Sequence, residues 1–260
     1  MAEPAGADVL QPVIHLRPLH TGFTEKLVVT AGQRPAFIEQ YRKLAATLHN
    51  LQIARGLKIV MISSALPTEG KTLTAVNLAL TLSESFQRLV LLVDGDLRHP
   101  SMHNIFQVAN AGGLSHMLAS ESELTLPLVE ISLFLRLLPA GAPDSNPMSR
   151  LTSDRMRRLL ELAATAFEWV IIDTPPVGLL PDARLLAGMV DATLLVVRAG
   201  STPYGLIQRA VAALGADRFV GVVLNGADDA AVGGGYSYEK YYEEYTRQRQ
   251  QEQVRRWPRA

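Results

Sequence analysis

The sequence predicts an α/β domain with one mostly parallel, twisted sheet and helices on both faces, and three observations carry that expectation. Short apolar runs at 57–63, 89–94, 133–138, 168–173, 192–198 and 219–224 alternate with helical stretches at about 71–86, 152–166, 182–190 and 204–214. This is the rhythm of β-α-β units around a parallel sheet. The first run leads through the loop Ala65-Leu66-Pro67-Thr68-Glu69-Gly70 into a helix that opens with Lys71, Thr72 and Leu73. Two later runs end in aspartate, at Asp94 and Asp173, the strand ends where such sheets bind their ligands.

A chain of 260 residues that is 48% apolar can bury one substantial core, so a single domain is expected. The formal net charge is zero, which supplies no basic field for nucleic acid. There is no cysteine; disulfides, thiolate nucleophiles and thiolate metal sites are excluded, and the composition suits the cytoplasm. The apolar runs fall well short of the ~18 residues that a membrane-spanning helix needs. Any membrane connection is therefore expected to come through a partner.

In chain order, residues 1–34 are rich in Ala, Gly and Pro and read as a flexible N-terminal arm, although Val13–Leu19 is apolar enough to pack. The domain proper is expected over 35–232. Phe37, Tyr41, Leu44, Leu48 and Leu51 recur at helical spacing through 36–51. The loop that follows the first strand, closed by Gly70, Lys71 and Thr72, has the pattern of a phosphate-cradling P-loop, which makes the fold a P-loop NTPase domain. Such a loop aims free backbone N–H groups and the positive end of a helix at an anion; Lys71 adds a full charge and the Thr72 hydroxyl can ligate Mg²⁺. The expected ligand is a nucleoside triphosphate, ATP, with magnesium, and Ala65 to Leu73 are its candidate binding residues.

The second strand ends in Asp94-Gly95-Asp96, and the period of two puts both carboxylates on one side of the strand. The strand at 168–173 ends in Asp173, an acid placed to hold Mg²⁺ directly or through water. A lone aspartate reads equally well as a helix cap or turn former; three at strand ends around one phosphate loop read as a site for phosphoryl transfer, with Asp94 and Asp96 as candidates to take a proton from the attacking oxygen. Asn225, at the end of the last strand, reads either as a contact to the adenine edge or as a turn former before Gly226. The histidines form no set spaced for zinc.

The tail, 233–260, opens with Gly233–Gly235 and carries five of the seven tyrosines, Tyr236, Tyr238, Tyr241, Tyr242 and Tyr245. The spacing of the last four also fits a helix burying an aromatic stripe. The two readings differ: a docked stripe is protected, whereas a glycine hinge lets the tail reach an active site.

Taken together, ALPTEGKT, LVLLVDGDLRHPSMH and WVIIDTPPV resemble the Walker A, A′ and B motifs of the bacterial tyrosine kinases, the cytoplasmic autokinases that control capsule and exopolysaccharide synthesis. The resemblance covers about 36–246 and includes LPAG at Leu138–Gly141, Asn146-Pro147, LLVVRAG at Leu194–Gly200 and the tyrosine tail. It implies a catalytic set of Lys71, Asp94 and Asp96, with Asp94 as the base, and a metal site of Thr72, Asp94, Asp96 and Asp173. It further implies autophosphorylation in trans on the five tail tyrosines within a ring-shaped homo-oligomer. The ring helix pattern Glu-x-x-Arg-x-x-Arg is matched by Glu39 and Arg42, but Ala45 replaces its last arginine, which weakens the expectation of a ring.

A separate membrane activator of the chain-length-determining type is implied as partner, recruiting the kinase to the inner face of the membrane, together with a cognate tyrosine phosphatase. Sugar-nucleotide enzymes or glycosyltransferases are implied as further substrates. Two other functions share most of these features: a partitioning or cell-division type ATPase, and a non-catalytic ATP-gated module of an export complex. Leu66 stands where those ATPases carry a signature lysine, and together with the tyrosine tail it favours the kinase.

Overall fold

The computed structural model describes residues 16–121, 125–144, 146–178 and 181–227. Continuous apolar runs become strands because a sheet covered on both faces buries every residue. β1 (Ile59–Ser64), β2 (Val90–Asp94) and β5 (Trp169–Asp173) are buried along their whole length. With β3 (Val129–Glu130), β4 (Leu135–Leu138), β6 (Ala192–Arg198) and β7 (Phe219–Asn225) they form one sheet of order β3-β4-β2-β5-β1-β6-β7. All pairings are parallel except β3 with β4. The six expected strands are present; the two-residue β3 was too short to read from the sequence.

The helices are α1 (Pro35–Arg55), α2 (Lys71–Leu80), α3 (Met102–Ile105), α4 (Leu114–Ala119), α5 (Met148–Leu151), α6 (Asp154–Ala166), α7 (Pro181–Ala187) and α8 (Tyr204–Leu214). They divide the core into two layers. Val60, Ile62, Leu92 and Ile171 face α1 and α2, whereas Met61, Val93, Ile172 and Leu195 face α6, α7 and α8. α1 starts with proline in its first turn and stops at Gly56, whose φ of 72° and N–H to the Gln52 carbonyl close the end. The stretch expected as one helix over 71–86 changes character after Leu80, where Thr81–Ser85 widens into a π turn. There the Thr81 hydroxyl donates to the Asn77 carbonyl and the Phe86 N–H reaches Thr81.

The expected arm over 1–34 is corrected for residues 16–34, which lie against the domain. Thr21–Lys26 form a 3₁₀ turn, Leu27 is fully buried, and Arg17 and His20 donate backbone N–H groups to Ile131 and Ile105. The deciding contact comes from α2. Asn77, itself buried, accepts the Val28 N–H at 2.9 Å and donates to the Lys26 carbonyl at 2.8 Å. One amide thus replaces the backbone partners that a strand would have supplied. The tail at 233–260, with Gly233–Gly235 and its five tyrosines, lies outside the described residues, as does the end of the 35–232 unit from 228 onward.

This contact makes a direct prediction. Asn77→Ala leaves the buried Val28 N–H and the part-buried Lys26 carbonyl without this partner and should cost about 1–3 kcal/mol. Denaturant unfolding should show that loss, and limited proteolysis should cut within 16–34 before the rest of the domain; a cleavage pattern identical to the parent would contradict the assigned role.

Candidate active site

β1 delivers the chain into the loop 65–70, and Gly70 turns it into α2 with φ of 92°. A Cβ at Gly70 would stand 2.0 Å from Asn225 Nδ2, so both conformation and space demand glycine here. Lys71 and Thr72 occupy the first turn of α2, where N–H groups are free and the helix end is positive. In the neighbouring pair, β2 and β5 run in register so that Asp94 lies opposite Asp173 at the strand ends. Gly95 N–H donates to the Asp173 carbonyl at 2.9 Å, and a Cβ on Gly95 would come within 2.7 Å of that oxygen. Close approach of the two strand ends therefore depends on the Asp-Gly-Asp sequence.

The expected acids and the loop meet around one lysine. Lys71 Nζ is 3.1 Å from Asp96 Oδ2 and 3.7 Å from Asp173 Oδ1, and the Thr72 hydroxyl donates to Asp173 Oδ2 at 2.6 Å. Asp96 Oδ1 accepts the His99 N–H. Asp94 Oδ2 accepts the N–H groups of Ser101 and Met102 at 3.0 and 3.1 Å, at the start of α3. Asp94 is thus partly a helix cap, the bland role open to any aspartate. Among the described residues its Oδ1 has no hydrogen-bond partner, nor does Asp173 Oδ1.

One lysine faces three acids here, and the titrations follow. Burial pushes the Asp94 carboxyl up to about 6, against the pull of the Met102 and Ser101 amides. Burial pushes Asp173 up to about 7; Lys71 opposes that rise and Asp94 adds to it. For Lys71, burial works against the charged form, yet Asp173 and Asp96 together hold the ammonium above its ordinary value.

Among the described residues no group of three or more His, Cys, Asp or Glu side chains is arranged to hold a metal. The donors that do converge are hard oxygens, the Thr72 hydroxyl and the unpartnered oxygens of Asp94 and Asp173, a set that fits a Mg²⁺ ion keeping waters and phosphate oxygens as its other ligands.

No protein-family model matches the chain. Tyrosine-protein kinase YwqD of Bacillus subtilis is 35% identical over 191 residues, covering 72% of this chain and 80% of YwqD. The chain belongs to the bacterial tyrosine-protein kinases. The kinase domain of the Escherichia coli tyrosine kinase ETK superposes with a TM-score of 0.70 at 33% identity, over 77% of this chain and 79% of that domain. The succinoglycan biosynthesis transport protein ExoP of Rhizobium meliloti is 31% identical over 237 residues, 84% of this chain but 30% of ExoP. The kinase therefore spans most of the Bacillus relative and less than a third of ExoP. No helix among its described residues is long and apolar enough to cross a membrane.

Other sequence expectations fare differently in this kinase. Asn225, read as an adenine contact or turn former, donates from Nδ2 to the Glu69 carbonyl at 2.8 Å, so that half of its amide serves the loop. Glu39 and Arg42 form an i,i+3 ion pair at 3.8 Å on α1, and Ala45 is fully buried in the core. Sequence reading missed Arg98 and Asp182. Arg98 Nε lies 2.6 Å from the buried Asp182 carboxylate, which fixes the segment after Asp96 against α7. It also missed the partners of Glu69: the Leu66 N–H at 2.7 Å and the Thr202 hydroxyl. Arg98 sits inside the Asp94–Arg98 motif and was findable there; Asp182 and Thr202 stand in no pattern that marks them.

The raised acids set a pH dependence. The folded nucleotide-free chain keeps protons on Asp94 and Asp173 over the range from the ordinary 3.8 up to about 6 and about 7, whereas the unfolded chain has already lost them. Stability from these groups is thus full below the ordinary value and is lost as pH rises through the folded values. The melting temperature of the nucleotide-free kinase should fall between about pH 4 and pH 7, and Asp173→Asn should flatten the slope; a slope unchanged in that variant would remove Asp173 as its source.

Proposed function

We propose that this chain is an ATP-dependent protein-tyrosine autokinase that phosphorylates the tyrosines of its own C-terminal segment, in trans between copies, and through them regulates polysaccharide synthesis or export. The observation that supports this reading best is the convergence of Asp94, Asp96 and Asp173 on Lys71 and Thr72 at the mouth of the phosphate loop. Phosphoryl transfer needs little more than positioning and charge neutralisation.

The loop N–H groups and Lys71 bind the phosphates. Thr72 and Asp173 would hold Mg²⁺ directly, with Asp94 and Asp96 reaching it only through water, and the ion, when bound, neutralises charge developing on the phosphate oxygens. Asp94 suits the role of base. Both oxygens of Asp96 are engaged, by Lys71 and by the His99 N–H, while Asp94 retains a free Oδ1 and titrates near neutrality. The tyrosine O–H gives its proton to Asp94, its oxygen bonds the γ-phosphorus, and the bond to the bridging oxygen breaks to release ADP.

The same reading places a homo-oligomer, a membrane activator, recruitment to the membrane face, a cognate phosphatase and polysaccharide-assembling enzymes around the kinase. Added phosphate, at ~1.5–2 negative charges per tyrosine beside Glu239, Glu243 and Glu244, favours release of the tail and dissociation of the oligomer.

Incubation with labelled ATP and Mg²⁺, with and without a candidate membrane activator, tests the reading. Phosphotyrosine should map to Tyr236–Tyr245 and fall by at least ~100-fold in Lys71→Met and Asp94→Asn. Phosphate released with no phosphotyrosine would favour the partitioning-type ATPase instead. In sedimentation, the phosphorylated kinase should run as a smaller species than the unphosphorylated one; identical profiles would sink the switching part of the proposal.

A further inference from the structure

The phosphate loop carries a carboxylate of its own, and every contact of that carboxylate is internal. Glu69 is buried, with only 3% of its surface exposed. Its Oε2 accepts the Leu66 N–H at 2.7 Å, across the loop, and its Oε1 accepts the Thr202 hydroxyl, from the turn between β6 and α8. Thr202 is oriented in turn, since its hydroxyl oxygen accepts the Arg198 N–H at 3.2 Å. The Arg198 guanidinium reaches back to the Thr68 carbonyl at 3.3 Å. Two side chains thus tie the loop to one turn 133 residues away in sequence.

The backbone explains why ties are needed. Thr68 stands at φ of 63° and Gly70 at 92°, on either side of Glu69. A β-branched residue in the left-handed region is a costly conformation, which persists only where surrounding contacts over-determine it. Here the contacts are those of Glu69 and Arg198. Their effect is to hold in place the turn that presents Lys71 and Thr72.

We propose that Glu69 and Thr202 form a latch that keeps the phosphate loop in its strained, nucleotide-ready shape, and that both are positioning residues for nucleotide binding. The inference rests on the reading of this loop as the ATP site, but not on any acceptor of phosphate. Neither side chain touches the reacting atoms. Each acts through the loop backbone, Glu69 by holding Leu66 and Thr202 by holding Glu69.

The test is the affinity of the intact kinase for a fluorescent ADP analogue with Mg²⁺, measured without phosphoryl transfer, beside the melting temperature of each nucleotide-free variant. Thr202→Val, which removes one hydrogen bond to a charged group, should weaken binding by about tenfold, and Glu69→Ala, which removes two, by at least as much. The double variant should bind no worse than Glu69→Ala, because both substitutions open one latch. Thr202→Ser, which retains the hydroxyl, should bind as the parent does, whereas a role for the threonine methyl alone would leave the valine variant near the parent and make the serine variant the weaker binder.

Glu69→Gln should fall between parent and alanine, since its Oε1 still accepts from Thr202 while its amide faces the Leu66 N–H as a second donor. If Glu69→Ala fails to melt cooperatively, the Thr202→Val and Thr202→Ser pair decides alone. Affinities within twofold of the parent, or losses that multiply in the double variant, would overturn the proposal. Failure of the kinase reading would leave these affinities unchanged and appear only as missing phosphotyrosine.

Discussion

Two parallel strands that end in register on aspartate impose the constraint around which this molecule is arranged. Asp94 and Asp173 lie side by side at the ends of β2 and β5, fully buried, where two uncompensated charges would be ruinous. Lys71 can offset them because β1, which launches its loop, pairs directly with β5. Gly95 permits the close approach, Thr72 satisfies one carboxylate oxygen, and the amides at the start of α3 satisfy another. The same burial that raises two of the acids suits the site to the cation and triphosphate proposed for it. What would be a defect in a purely structural core is the chemistry of this one.

The rest of the fold holds that edge still. The strand bearing the phosphate loop is interior to the sheet, with β5 and β6 as neighbours, and it is covered by helices on both faces. Arg98 and Asp182 anchor the segment after Asp96 to α7, and Asn77 fastens the chain before α1 to the back of α2. The phosphate-binding helix is therefore gripped along its length, by the domain core and by residues 16–34. Rigid support of this kind is what a reaction driven by positioning requires.

Much of this was legible in the sequence, for identifiable reasons. Strands buried on both faces announce themselves as unbroken apolar runs, and a phosphate loop has a spacing that few other structures need. Asp94 and Asp173 were legible because each ends such a run, and Asp96 because it stands two residues beyond Asp94. The segment 16–34 was not, since it buries Leu27 and Val28 without regular structure and satisfies its backbone through a side chain 49 residues away. Arg98 with Asp182 and Glu69 with Thr202 were hidden for the same reason. They are contacts between positions 84 and 133 apart, and no local pattern encodes them. Ala45 breaks a surface motif, and its burial could be seen only once α1 was packed.

β7 is an outermost strand, yet its last residue, Asn225, touches the Glu69 carbonyl inside the phosphate loop. Everything downstream is consequently tethered at the rim of the site. Tyr236 is eleven residues from that anchor, a leash of at most ~40 Å when fully extended. That chain length bounds how far the proposed acceptor Tyr236 can stand from the nucleotide site of its own copy. The transfer in trans proposed above then needs a source of selectivity other than distance, which does not by itself separate a copy's own tail from its neighbour's.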